Sequence, residues 1–422
     1  MSGSVRLERK KSSTLLNTLK RPHTVKKVRI PLTSGEETLM FPAVKNGDVI
    51  ERGAKIASPE GEQGSPLFSG IAGKVKLVER TKNGNMVCTH IEVTAPNDFC
   101  QTASVLPELR KDAEKLPCRE LRSIFRERGL LTTDGRAEPL HKIISGSPST
   151  IKTIVINGCE PEPYVTSEQV LMTSYPTEVL RGAEILRRAA EAEKVIFLIE
   201  DAERELFELI KSKIYLLKWD RFEAQKVPAI YPMGTDNFLP GQLSINSAVL
   251  NASTAYAAYE AVYLHKPFFE RVVTVGGECV AEPRNLWLPL GISIRDALQL
   301  CKGLLREPAK LIVGGPMKGV AQKDGEGVVM AGTDAVLALP KEIAGESAEK
   351  PCIRCNRCVD ACPVFLSPVM ITLAAEKNSF EVSREWNVEA CIECGLCSFV
   401  CPSKRPMLEL IAKAKKGIAT GS

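Results

Sequence analysis

Residues 352–363 read CIRCNRCVDACP, and residues 391–402 read CIECGLCSFVCP. Each run is C-x2-C-x2-C-x3-C-P, the spacing of bacterial two-cluster ferredoxins. Two intervening residues let a tight turn present three sulfurs to one face of a cubane. The fourth cysteine lies one helical turn on, points away and reaches the other cluster. The pattern assigns Cys352, Cys355, Cys358 and Cys401 to one 4Fe-4S cluster, and Cys391, Cys394, Cys397 and Cys362 to the other. A pair of structural zinc sites is the alternative, but zinc knuckles have no use for a fourth cysteine at x3 followed by proline. Exchanged fourth ligands hold two clusters close together, which suits electron transfer between them.

These eight belong to a total of fourteen cysteines in 422 residues. No secretion signal precedes them, so metal or redox chemistry is expected rather than disulfides, in a cytoplasmic protein. No apolar run approaches the roughly 18 residues of a membrane helix. The formal charge of +5 is small and aromatics are only 5%, which argues against a nucleic-acid partner. Four thiolates around a 2+ core leave about −2 per cluster, bringing the loaded chain to about +1. Arg354, Arg357, Lys404 and Arg405 beside the ligands partly offset that charge, or are a solvated rim.

Upstream, residues 41–79 alternate short apolar stretches with Gly, Pro and Asn turns, an all-β pattern. The NGDVIERGAKIA segment and the later SGIAGKVKLVE look like the barrel-sandwich hybrid of lipoyl and biotin carriers. The hairpin tip SPEGEQGSP has no lysine to carry a swinging arm. Residues 98–140 are mixed and helix-prone. KTIVING and KVIFLIE then read as buried strands, each followed by an amphipathic helix. Such alternation gives a parallel sheet with its ligand site at strand C-termini, where Asn157-Gly158-Cys159-Glu160-Pro161-Glu162 falls. RVVTVGGECV and LWLPLGISIRDALQL form a further β unit resembling a β-grasp module. Cys88, Cys100, Cys118, Cys279 and Cys301 lack partners at motif spacing and read as structural.

In this order, the pieces resemble the RnfC family, with more distant kinship to the flavin-carrying NADH-oxidising subunit of respiratory complex I. The resemblance runs over about residues 22–410, through NGCEPEPY, YPMG at 231–234, HKPFFERVVTVGG at 265–277, IVGGPMKG at 312–319 and both cysteine runs. It implies a multidomain α/β chain. A tail at 1–24 precedes a barrel-sandwich unit at 25–97 and an α/β core at 98–268 resembling the NADH/FMN-binding domain. A β-grasp module and linker at 269–345, a two-cluster ferredoxin domain at 346–410 and a basic, disordered tail at 411–422 follow. Asn157, Glu160 and Glu162 match the family's FMN/NADH site.

Two departures stand out. Flavin-carrying relatives place GGAGFPT before that strand, with backbone N–H groups aimed at a phosphate. This chain reads RERGLLTTDGRAEPL there, without consecutive glycines, which counts against bound FMN and NADH. Cys159 replaces a small residue, and this resembles the branch that accompanies D-proline reductase. Cys159 would then be a redox thiol, its pKa lowered by a following helix N-terminus, or else a buried small hydrophobe. The first expectation is accordingly a two-cluster electron relay to a partner oxidoreductase such as proline reductase. The alternative is an NADH-oxidising FMN/iron–sulfur subunit of an Rnf-type NADH:ferredoxin oxidoreductase complex, whose kinship permits peripheral docking at the inner face of the cell membrane.

Overall fold

The computed structural model describes residues 4–34, 38–61, 64–82, 85–96, 109–145, 151–235, 238–240, 243, 246–344 and 348–420. Cys100 and the side chain of Cys88 lie outside what is described. The first unit contains two four-stranded sheets. One is built on the hairpin of Gly73–Lys82 and Asn85–Thr94, with Lys27–Pro31 at its side. Val28, Ile30, Val75, Ile91 and Val93 point inward along these strands, two residues apart, as strand geometry requires. Their core is continuous with that of the β-grasp module, through Val273, Val275, Leu286 and Leu288. The two units are thus joined through apolar burial and not strung on a linker.

The α/β core carries a four-stranded parallel sheet in the order Phe222–Val227, Lys194–Glu200, Thr153–Asn157, Ser247–Asn251. In chain order this is 3-2-1-4, so the connections reverse direction between the first and fourth strands. In open sheets of this kind the ligand crevice lies at that reversal, beyond the carboxyl ends. Thr153–Asn157 is buried at every position, as its uninterrupted TIVIN run requires. Against the sheet, helix Pro176–Ala190 packs on helix Ala252–Tyr263, whose residues are all buried. Small residues permit this closeness: a Cβ on Gly182 would lie 1.8 Å from the Ala255 carbonyl oxygen.

Both expected tails are structured. The N-terminal segment lies across the core: Val5 pairs with Tyr231, and Lys20 bridges to Leu286. Arg9 Nη2 meets Glu200 at 2.7 Å, and Lys11 Nζ donates to the Glu160 carbonyl at 2.5 Å. Residues 411–420, expected to be disordered, belong to helix Met407–Thr420. Its basic composition hid an apolar stripe, Met407, Ile411 and Ala414, that packs with Ile371 and Ala375 of the ferredoxin domain. Residues 109–116, read as helix-prone, hold only the short 3-10 turn Ala113–Lys115. The expected parallel sheet, barrel-sandwich unit and β-grasp module are otherwise found.

The helix contact gives a direct check. Gly182→Ala should lower the urea midpoint, at a cost of about 1–3 kcal/mol for overpacking. Gly135→Ala, whose Cβ would meet nothing within 4 Å, should change stability by less than about 0.5 kcal/mol.

Candidate functional site

A cavity of about 340 Å³ opens at the crevice between the first and fourth strands. Asn157 and Asn251, the last residues of those two strands, both line it. Asn157 fixes the turn that follows: its Nδ2 donates to the Gly234 carbonyl at 2.9 Å, and its Oδ1 accepts from Cys159 N–H at 3.2 Å. The remaining walls come from residues 133–135, residues 159–162, and the Gly314–Gly319 turn of the β-grasp module.

Glu160 does not face the cavity as a free carboxylate. It accepts from Glu168 N–H at 2.8 Å, Gln169 N–H at 3.0 Å and Ser167 Oγ at 3.1 Å. It thereby caps helix Ser167–Ser174, where the unpaired N–H groups and the dipole favour an anion. Burial nonetheless raises its pKa against the pull of Lys11 and those N–H groups. Glu162 crosses to the β-grasp turn, accepting from Met317 N–H at 2.8 Å and Lys318 N–H at 3.2 Å. Burial outweighs those bonds and pushes its carboxyl up to about 7. Gly315 is required here, since a Cβ there would fall 2.0 Å from Glu162 Oε2.

Three side chains that sequence reasoning misses complete the frame. Glu168 accepts from Ser253 N–H at 2.7 Å and Ser253 Oγ at 2.6 Å, and burial pushes it up to about 7. Arg271, 1% exposed, donates Nη1 to the Thr133 carbonyl at 2.8 Å and to that of Ala331. It thus holds the altered 132–136 loop from behind, while Thr133 N–H bonds Thr254 Oγ1 at 3.0 Å. Lys318 lines the cavity as its cation and makes no ion pair among the described residues. The available signals were a charge inside the apolar run FFERVVTV and a lysine inside a Gly-rich turn.

Cys159 also lines the cavity, but its surroundings run against a lowered pKa. It is 6% exposed, and burial first, then the charge of Glu200, pushes the thiol well up. The helix N-terminus that could have stabilised a thiolate is taken by Glu160. Its Cβ packs where a side chain on Gly234 would stand. The small-hydrophobe reading accounts for these contacts.

In the ferredoxin domain, Cys352, Cys355, Cys358 and Cys401 line one hollow. Cys362, Cys391, Cys394 and Cys397 line a second. The two quartets are those expected from the spacing, exchanged fourth cysteine included. Among the described residues no three His, Cys, Asp or Glu side chains converge closely enough for a single metal ion; the thiols surround a space instead. Both runs use the same backbone, with left-handed residues at Arg354 and Asn356 in the first and at Glu393 and Gly395 in the second. Glycine is needed in the second because Met317 comes close: a Cβ on Gly395 would be 2.6 Å from the Met317 carbonyl oxygen. Tyr231, 1% exposed, donates its hydroxyl to the Cys394 carbonyl at 2.6 Å. Lys415, from the supposed tail, donates to the Cys391 carbonyl at 2.7 Å. The second quartet is therefore packed against the cavity's own wall elements, residues 231–235 and 314–319.

The Glu162 environment predicts a pH dependence of stability. Its folded-state value of about 7 lies above the ordinary 4.5, so the folded chain holds this proton more tightly than the unfolded chain. The stability it contributes is complete below pH 4.5, declines up to pH 7 and then levels. Glu162→Gln removes that decline. Urea titrations should show the variant gaining roughly 2 kcal/mol on wild type between pH 5 and pH 8. A gap that does not change with pH would contradict the assignment.

Comparison with known proteins agrees with this architecture. The Nuo51 FMN-binding domain family matches residues 125–257, the SLBB domain family residues 272–321, and the 4Fe-4S dicluster domain family residues 346–402. The first match spans the altered loop, so the loss of consecutive glycines no longer sets this chain apart from the flavin-binding domain; the expectation against FMN is corrected on that ground. The C component of the proton-translocating ferredoxin:NAD(+) oxidoreductase complex of Clostridium ljungdahlii is 29% identical over 85% of this chain and 80% of its own length. The C component of the Na(+)-translocating ferredoxin:NAD(+) oxidoreductase complex of Acetobacterium woodii is 28% identical over 93% and 90%. Among solved structures, a chain of an NAD+-reducing [NiFe]-hydrogenase in the H2-reduced state shares the fold, with a TM-score of 0.50 and 13% identity over 78% of this chain and 74% of that one. With the order of its domains, its dicluster segment and relatives that match along most of its length, the chain is RnfC-like.

Proposed function

We propose that this chain is the NADH-oxidising, FMN- and iron–sulfur-carrying subunit of an Rnf-type NADH:ferredoxin oxidoreductase complex. The observation that carries the reading is the close link between the crevice wall and the second cysteine quartet: Met317 bonds the lining residue Glu162 and lies against Gly395, and Tyr231 bonds the Cys394 carbonyl. An electron relay alone does not require a cavity of this size against its inner cluster, whereas a converter of hydride into single electrons does. The volume lies within the range of cofactor sites, roughly 300–1,000 Å³. When bound, FMN would supply acceptance of two electrons and their release one at a time.

The residues present fit that group in a specific way. Lys318 and the Gly314–Gly319 turn are the cationic, close-approach element for its phosphate. Asn157, Asn251 and Thr235 offer amide and hydroxyl groups along the opposite wall. Glu162 and Glu168, both raised to about 7, are about half protonated at neutrality and largely neutral by about pH 6, which lets an acidic-looking cavity admit an anion. Cys352, Cys355, Cys358 and Cys401 would hold one 4Fe-4S cluster and Cys362, Cys391, Cys394 and Cys397 the other. Supporting the complex are the names of the relatives, which are subunits of such assemblies. No helix among the described residues is long and apolar enough to cross a membrane, so this subunit would dock on membrane-bound partners. Nothing at Cys159 favours proline reductase as the acceptor.

Two outcomes are expected. FMN titrated into anaerobically purified protein, followed by flavin fluorescence, should bind several-fold tighter at pH 6 than at pH 8, and Lys318→Glu should weaken it by roughly tenfold. Binding that strengthens with pH would contradict the role of the carboxyls. Cys394→Ala should lower iron from about eight toward about four per chain while leaving residues before 340 folded. Iron unchanged at about eight would overturn the ligand assignment.

A further inference from the structure

The two cysteine quartets differ in what covers them. The quartet of Cys362, Cys391, Cys394 and Cys397 faces inward, closed by Tyr231, Met317 and Leu396. The other faces out. Of the eight cysteines only Cys355 is exposed, and the side chain between the first two ligands, Ile353, is 67% exposed. Arg354 and Arg357, both exposed, line the same hollow as Ile353, and the exposed Lys350 and Lys404 flank it in the chain, joined where Lys350 N–H donates to the Ser403 carbonyl at 2.9 Å. Among the described residues none of the four makes an ion pair, unlike Lys415 on the inner quartet, which meets Glu393 at 2.6 Å. Arg405, the remaining basic neighbour, is buried against Glu376 and takes no part.

We infer that this face, Ile353 with Lys350, Arg354, Arg357 and Lys404, is the docking surface for a small one-electron redox protein whose own face is acidic. The inference goes beyond the proposed function and rests on it only in that the outer quartet holds a cluster. An exposed apolar centre within a polar, charged rim is the build of a transient interface. With a 4Fe-4S cluster held by Cys352, Cys355, Cys358 and Cys401, this face would pass one electron, the core changing from 1+ to 2+ as the partner's centre is reduced by one electron, with no proton transferred. Glu349 and Asp360 offset two of the four charges, and a bound cluster, about −2 when oxidised and −3 when reduced, the rest. The face therefore exerts little pull at a distance. Its cations reach outward past the thiolates and pair with carboxylates at contact, so the surface selects its partner more than it steers it.

The test uses the full cluster-loaded chain, its iron content measured first, with two haem proteins of opposite charge as probes: acidic cytochrome b5 and basic cytochrome c. By calorimetric titration at low salt, cytochrome b5 should bind and cytochrome c should not. Arg354→Glu combined with Arg357→Glu should weaken cytochrome b5 roughly tenfold or more. Carbodiimide cross-linking, which joins lysine to carboxylate, should capture Lys350 or Lys404. Lys404→Glu alone, a change of one exposed side chain three residues from Cys401, provides a second variant, its iron measured likewise, should the double change reduce iron loading; it should weaken binding several-fold. Equal binding by variants and wild type, cross-links confined to other lysines, or preference for cytochrome c would each overturn the proposal. Iron near zero in the wild-type chain would fail the cluster assignment instead, a result separable from the binding outcome.

Discussion

Met317 is the residue on which the rest of the arrangement depends. Its N–H is bound by Glu162 at the cavity wall, and its carbonyl lies against Gly395 in the inner cysteine run. One residue thus fixes the distance between a cavity and a cysteine-bearing loop that come from different domains. Each flanking choice follows from that closeness. Gly315 clears room for Glu162, Gly395 clears room for Met317, and Tyr231 fastens the other side through Cys394. Electron transfer weakens steeply with distance, so a chain with a donor cavity and an acceptor cluster gains by making their separation rigid.

The carboxylates around the cavity obey a related constraint. Buried acids are costly unless hydrogen-bonded, and of the five that line the cavity the three glutamates are each engaged, whereas Asp334 keeps one oxygen without a hydrogen-bond partner. Glu160 takes the N-terminus of a helix, Glu162 a pair of turn amides, and Glu168 a serine. They serve as structural struts first. Burial then leaves Glu162 and Glu168 near neutrality in pKa, which gives the cavity a charge that changes over the physiological range. Arg271 acts from outside the cavity, holding the loop whose glycines have been lost. In this chain a buried guanidinium supports that loop.

Much of this is legible in the sequence because it is local. Cysteine spacing alone groups the eight cysteines into the two sets that line the two hollows. The buried strands TIVIN and KVIFLIE are likewise evident as short apolar runs. What escapes is non-local. The last helix is hidden by the lysines of AKAKKG, because its apolar stripe shows only when Met407, Ile411 and Ala414 meet Ile371. The N-terminal segment has no periodicity of its own and is ordered by pairing with Tyr231 and Glu200. Cys159 looks reactive beside an expected helix N-terminus, but Glu160, one residue on, has taken that position. The glycine-poor loop reads as a loss because its support, Arg271, is more than a hundred residues away.

The central claim is that the cavity and the inner cluster form one electron-converting unit. The most direct measurement is the visible spectrum of anaerobically purified, FMN-supplemented protein, with flavin and iron quantified, before and after NADH. The account predicts about one flavin per chain and a cluster band near 400 nm that NADH bleaches. A chain carrying its full iron, reducible by dithionite, yet without flavin and unchanged by NADH, would contradict it.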